Sequence, residues 1–252
     1  MPIQYARLLA GRQRTLHGNR QLGCVLAFVA GATNAGGFLA VGQYTSHMTG
    51  IVSTMADSLV LGERELVLAS LGALLSFVFG AATSAVMINY ARRRKLHSEF
   101  ALPLLLEAAL LIAFGLIGAR LAELHSLFVP ATVMLLCFIM GLQNAVITKL
   151  SNAEIRTTHV TGMITDIGIE LGKLAYWNRS RPEDTGMPAV QVNRDRLQAL
   201  LLLVGSFVVG AVGGAFGFKH LGYVSTVPLA LLLVFLASVP AVDDIAALFR
   251  ES

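Results

Sequence analysis

Apolar positions in this chain fall into long unbroken runs, without the alternation or one-sided stripes of a water-soluble domain. Leu22 to Gly42, Leu66 to Ala91, Ser126 to Thr148, Leu197 to Phe218 and Leu221 to Val242 contain no Asp, Glu, Lys or Arg. A sixth run, Phe100 to Ala119, holds one charge, Glu107. A bilayer core of about 30 Å needs roughly 20 helical residues at 1.5 Å each. Every run is long enough. The pattern predicts an all-α membrane protein with six long transmembrane helices.

The runs also repeat. Gly31-Ala-Thr-Asn34-Ala35 recurs as Gly141-Leu-Gln-Asn144-Ala145, and Thr45-Ser46-His47-Met48-Thr49-Gly50 recurs as Thr157-Thr158-His159-Val160-Thr161-Gly162. Further on, Ser76-Phe-Val-Phe-Gly80-Ala81 matches Ser206-Phe-Val-Val-Gly210-Ala211, and Leu102-Pro103-Leu104 matches Val227-Pro228-Leu229. Four landmarks in one order divide the chain into two related halves. Each half reads as a long helix, a short segment and two more long helices. The short segments run from about Ser46 to Leu61 and from about Thr158 to Gly172. They are marginal for crossing a bilayer.

Lys and Arg arbitrate the topology. If the short segments do not cross and the N-terminus is cytoplasmic, 16 of the 19 basic residues are cytoplasmic, leaving Arg64, Arg120 and Lys219 outside. If all eight segments cross, the split is 12 to 7, with Arg92 to Lys95 outside. The positive-inside rule favours the first. Three spans per half, an odd number, then make the halves inverted-topology repeats, with both termini cytoplasmic. The domains expected are a basic arm over 1–21, membrane repeat 1 over 22–122 and membrane repeat 2 over 126–248. The second repeat carries a cytoplasmic loop at about 173–196, and the whole is one membrane domain.

Composition sharpens this picture. Hydrophobic residues make up 55% of the chain and charged residues 13%, against about 25% charged in soluble domains, which argues against a soluble enzyme. The net charge of +4 comes from basic residues flanking the apolar runs, so it marks membrane boundaries and implies no nucleic-acid partner. Cys24 and Cys137 lie inside apolar runs, so no disulfide framework is expected. The first run is too long for a signal peptide's apolar region and reads as a retained span.

On these residues the sequence resembles the YoaK-like family, bacterial multi-pass membrane proteins built on domain of unknown function 1275. The resemblance covers roughly Leu22 to Val242 and rests on Ala30-Gly31-Ala-Thr-Asn34-Ala35, Ser46-His47-Met48-Thr49-Gly50, Met140-Gly141-Leu142-Gln143-Asn144-Ala145 and Arg156-Thr157-Thr158-His159-Val160-Thr161-Gly162. It implies residence in the bacterial inner membrane. In the family pattern Asn34 is commonly Asp and Ile51 commonly Asn, so a carboxylate at position 34 is not implied here. The family brings no established substrate.

Several polar residues in apolar surroundings are candidates for chemistry. Thr45, Ser46, Thr157 and Thr158 are good N-cap types for the short helices, whose starts would offer free N–H groups and a positive dipole end to a solute. Thr49 and Thr161 belong to the same motifs, and Gly50 and Gly162 would admit a close approach in the first turn. The plainer alternative is that both motifs cap helices at the surface. His47 and His159 occupy matched positions, and histidine is the side-chain type suited to proton transfer or hydrogen bonding at physiological pH. Glu107 is expensive within a membrane helix and is expected in the bundle interior, as a relay or as a structural hydrogen-bond partner. Asn34, Gln143 and Asn144 either bind solute or join helices. Asp166, Glu170 and Lys173 read as a polar stripe facing the cytoplasm. Gly210-x-x-x-Gly214, Gly213-x-x-x-Gly217 and Gly80-x-x-x-Ser84 imply close helix packing, either internal or in a homodimer.

Two histidines without a third ligand make a poor metal site, so no metal is expected and no cofactor is implied. Neither a nucleophile paired with a base nor an H-E-x-x-H pattern is present, and an enzyme is not expected. The leading expectation is a small secondary transporter for an unidentified small polar or anionic solute in the lipid bilayer, with proton coupling an option. The alternative is a non-transporting membrane scaffold or lipid-binding protein, with a membrane-embedded enzyme the less favoured third reading.

Overall fold

The computed structural model describes residues 16–94, 96, 99–121, 125–150, 160–176 and 188–251. Among these residues the regular elements are helical, with no strand. They are α1 (Leu16–Val41), α2 (Met48–Leu61), α3 (Arg64–Arg93), α4 (Ala101–Leu121), α5 (His125–Leu150), α6 (Val160–Ala175), α7 (Arg194–Leu221) and α8 (Thr226–Glu251). Five helical stretches are long and apolar enough to cross a membrane: Gly18–Val41, Arg64–Arg93, Ala101–Ala119, Pro130–Lys149 and Arg194–Ser238. The last is broken by a 3₁₀ turn over Gly222–Ser225, where Gly222 takes a positive φ of 60°. The protein is an all-α integral membrane protein.

The second short segment is expected to start near Thr158, which lies outside the described residues, and to end at Gly172. The helix runs on to Ala175. The C-terminus of α2 is fixed by Gly62 at φ 77°, with Gly62 N–H donating to the Leu59 carbonyl and Glu63 N–H to that of Ser58. This is the left-handed cap that only glycine adopts without strain. At the start of α7, Asn193 Oδ1 accepts from the Arg196 N–H at 3.0 Å.

The long helices pack across the two halves of the chain. The densest pairs are α1 with α7 and α3 with α5. In the first pair a Cβ added at Gly31 would overlap the Phe207 carbonyl, and one at Gly210 would overlap the Phe28 carbonyl. In the second pair the same happens at Gly141 against Phe77 and at Gly80 against Phe138. All four glycines, with Phe77 and Phe207, are landmarks matched between the halves, and Phe28 and Phe138 stand three residues before Gly31 and Gly141 in the same register. Backbones in apolar surroundings approach this closely only where a side chain is missing, the means by which membrane helices associate. The close packing expected of Gly80, Gly210 and Gly214 is therefore internal. Gly213 and Gly205 face open space instead.

Contacts along each pair give the directions. Gly23 meets Leu203 and Gly36 meets Phe218, so α1 and α7 run parallel; Gly72 meets Met134, so α3 and α5 do too. Gly37 meets Leu136 while the Gln143 amide donates to the Leu26 carbonyl, so α1 and α5 cross antiparallel. The end of α4 meets the start of α8 through Gly115 against Thr226, and meets the 3₁₀ turn before it through Gly118 against the Tyr223 ring. Beyond them, α3 and α7 turn Val78, Phe79 and Val86, and Val208, Val209 and Phe216, outward. These helices have no polar face, as expected of segments solvated by lipid.

The short helices rest on this frame in matched ways. Ile51 of α2 is buried with Ala73, Val133 and Cys137, flanked by Met48 and Phe77. Met163 of α6 is buried with Ala27, Leu200 and Leu203, flanked by Val160 and Phe207. Each short helix thus starts at mid-length of its long neighbour and runs back towards that neighbour's beginning.

Candidate functional site: a cleft between the short-helix starts

The start of α2 is set by the turn before it. After α1 ends, Gly42 at φ 71° lets the chain fold back, and Ser46 returns to α1. Its hydroxyl donates to Asn34 Oδ1 at 2.9 Å and its backbone N–H reaches the same oxygen at 3.3 Å. This corrects the expected capping role. The N-cap position of α2 is His47, and no side chain caps the helix. Ser46 is engaged with Asn34, and Thr45 is wholly buried with its hydroxyl unpartnered. The amide of Asn34 outcompeted the helix end because one oxygen accepts two donors from the same residue.

Gly50 also differs from expectation. The room left by its missing side chain is filled by the His47 ring, whose Nδ1 would lie 2.7 Å from an added Cβ. Gly50 is small for the sake of His47, not for an approaching solute. Gly162 keeps open space.

Beside this start lies a partly open cleft of about 740 Å³, within the range of small-molecule sites. Its walls bring together Ser46, His47 and Thr49 at the start of α2, Phe77 and Ala81 of α3, Asn144, Thr148 and Lys149 of α5, and Thr161 and Gly162 at the start of α6. Both repeated motifs, far apart in sequence, contribute to one cavity. Asn144 donates to the Met140 carbonyl at 2.9 Å, and Thr148 to the Asn144 carbonyl at 2.8 Å. Lys149 Nζ lies 3.3 Å from Asn89 Oδ1 on α3.

Other expected residues stand apart from the cleft. Gln143 is fully buried and joins helices, donating Nε2 to the Leu26 carbonyl at 3.2 Å. Glu107 is also fully enclosed, on the α4 face that carries Leu104 and Leu111, and neither carboxyl oxygen has a hydrogen-bond partner. His159 lies outside the described residues. Among the described residues no group of His, Cys, Asp or Glu is placed to hold a metal ion.

The Asp166, Glu170 and Lys173 stripe is not simply solvated. Glu170 accepts from Lys173 Nζ at 2.8 Å and from the Asn193 N–H at 2.8 Å, and Arg196 bonds Asp166 at 3.0 Å. The Lys173 ammonium, and after it the Asn193 N–H, holds the Glu170 carboxyl below its ordinary range. These bonds dock the end of α6 onto the start of α7.

Residues 22–239 match the family described as protein of unknown function DUF1275. The chain belongs to this family. The transmembrane protein YoaK of Bacillus subtilis strain 168 is similar, 25% identical over 191 residues, which cover 73% of this chain and 80% of that protein. No solved structure matches the chain. The span matched by the DUF1275 family includes both motifs and every residue of the cleft.

Sequence reasoning about this DUF1275 member missed Thr148 and Lys149. A lysine at the end of an apolar run reads as a boundary marker. The available signal was the repeat: positions 148 and 149 match Phe38 and Leu39 in the first half, so the polar pair departs from its apolar counterpart.

Proposed function

We propose that this protein is a non-enzymatic secondary transporter that carries a small polar or anionic solute through the cleft. The observation that carries the reading is the convergence of both short-helix starts on one cavity. Unoccupied helix starts at the centre of a membrane protein form the solute sites of transporters built from broken helices. The antiparallel crossing of α1 and α5, matched landmarks of the two halves, supports an inverted repeat, and the break at Gly222 supports six spans. At 1.5 Å per residue the 45-residue Arg194–Ser238 stretch measures about twice a bilayer core. With both termini cytoplasmic, α2 enters from the outer face and α6 from the inner face of the bacterial inner membrane.

In this reading His47, Thr49, Asn144 and Thr161 offer hydrogen bonds to the solute and Gly162 admits close approach, while His159, the repeat counterpart of His47, lies outside the described residues. Asn34 positions Ser46 and His47, Gly50 makes room for His47, and Gln143 holds α1 against α5. Glu107 supplies a proton site in the core, outside the cleft. Purified protein screened against small polar solutes should be stabilised by its substrate, and liposomes containing the protein should accumulate that solute. Uptake by the His47→Ala and Asn144→Ala variants equal to that of the unaltered chain would refute the cleft as the path.

A further inference from the structure

We infer that Lys149 selects solutes by charge, so that the cleft takes a small oxyanion, a carboxylate or a phosphate-like group. This rests on the reading of the cleft as the solute site and names its substrate class. Among the described residues lining the cleft none is Asp or Glu, and Lys149 alone carries a formal charge when His47 is counted as neutral. The partner of Lys149 is the neutral Asn89 oxygen at 3.3 Å, which orients the ammonium without cancelling it. The ion pairs among the described residues, Arg92 with Glu99, Lys173 with Glu170 and Arg196 with Asp166, leave Lys149 out.

The repeat gives an independent reason to treat this charge as specific to the cavity. Positions 148 and 149 match Phe38 and Leu39, where Phe38 stacks on Tyr44 at 4.4 Å. Both of these apolar side chains are exposed, so the other half carries no charge and no buried contact at this position for Lys149 to reproduce. The α2 start on the facing wall, without a side-chain cap, adds the positive end of its dipole to the same space. Low-dielectric walls focus such a field, so a single ammonium biases the charge of what enters.

The test needs no knowledge of the substrate. In a chain carrying Cys24→Ala and Cys137→Ala, Thr49→Cys places one thiol in the cleft wall. Its modification rates by a small sulfonate and a small trimethylammonium methanethiosulfonate are each divided by the rate with a free thiol in solution. The expected result is a preference for the anionic reagent on the order of fivefold. That preference should disappear in Lys149→Gln, persist in Lys149→Arg and collapse in about 1 M salt. The salt arm needs no variant at position 149, so the test stands even where Lys149→Gln fails to fold. Equal normalised rates, a cationic preference, or a preference indifferent to Lys149→Gln or to salt would overturn the assignment of Lys149. Modification by neither reagent nor by a small neutral one would show a cleft closed to solution, and would overturn the solute-site reading itself.

Discussion

Ser46 gives both its hydroxyl and its backbone N–H to a single oxygen of Asn34, at 2.9 Å and 3.3 Å. The bond ties the turn before α2 to the middle of α1, and it fixes where His47 and Thr49 stand in the cleft wall. The bond asks only for an acceptor oxygen, which an Asp side chain would supply as well as Asn. Asn34→Asp should therefore keep near-normal thermal stability. Asn34→Leu should lose roughly 0.5–1.5 kcal/mol, the net worth of a part-buried hydrogen bond. Thermal unfolding of the two variants in detergent makes the comparison, and equal losses would remove the bond from the explanation.

The paired glycine contacts set a second expectation. Gly31, Gly80, Gly141 and Gly210 each press on a backbone carbonyl, which cannot yield as a flexible side chain does. Alanine at any of them should destabilise by about 1–3 kcal/mol through overpacking. Gly205 and Gly213 face open space in α7, the helix of Gly210, and alanine there should be neutral or should stabilise by up to about 1 kcal/mol through helix propensity. Unfolding midpoints of the six variants read this directly.

The junction of α6 and α7 should respond to acid. Glu170 is held below its ordinary value of 4.5 by Lys173 and the Asn193 N–H. A carboxyl depressed in the folded state contributes stability that is fully present above its unfolded value and is lost as pH falls through the lower folded one. Unfolding midpoints of the unaltered chain and of Glu170→Gln should accordingly differ near neutrality. They should converge as pH falls below about 4.5. A difference that stays constant with pH would assign the effect to packing.

Glu107 carries the proton-coupling part of the reading. Glu107→Gln keeps the volume of a fully enclosed side chain while removing titration. Once a substrate is found, this variant should retain solute binding and lose uptake driven by an imposed pH gradient. Unchanged pH-driven uptake would return Glu107 to a structural role.

The matched landmarks of the sequence carried much of this architecture. Gly31 with Gly141 and Gly80 with Gly210 were visible as pairs, and their placement in close helix contacts followed. Which helix each would meet was not legible, because lipid-facing helices such as α3 and α7 are apolar all round and no stripe points to a partner. The site was legible in kind more than in detail. The two motifs do converge, yet Ser46 turns to Asn34 instead of capping α2, since a side chain twelve residues upstream competes with the local helix end. Gln143, grouped with the solute residues by its amide, instead bonds the Leu26 carbonyl because its helix face points at α1. Lys149 was hidden by its position at the end of an apolar run.

The proposed transport path requires the two short helices to enter from opposite faces of the membrane, and sided labelling measures that most directly. Single cysteines at Leu61, the exposed end of α2, and Gly172, near the end of α6 with open space around it, serve as reporters in the background lacking Cys24 and Cys137. A membrane-impermeant maleimide is applied to intact cells and to inverted vesicles. The expected result is labelling of Leu61→Cys from the periplasmic side and of Gly172→Cys from the cytoplasmic side. Labelling of both from one side would contradict the inverted repeat, and with it the alternating exposure of a shared cleft.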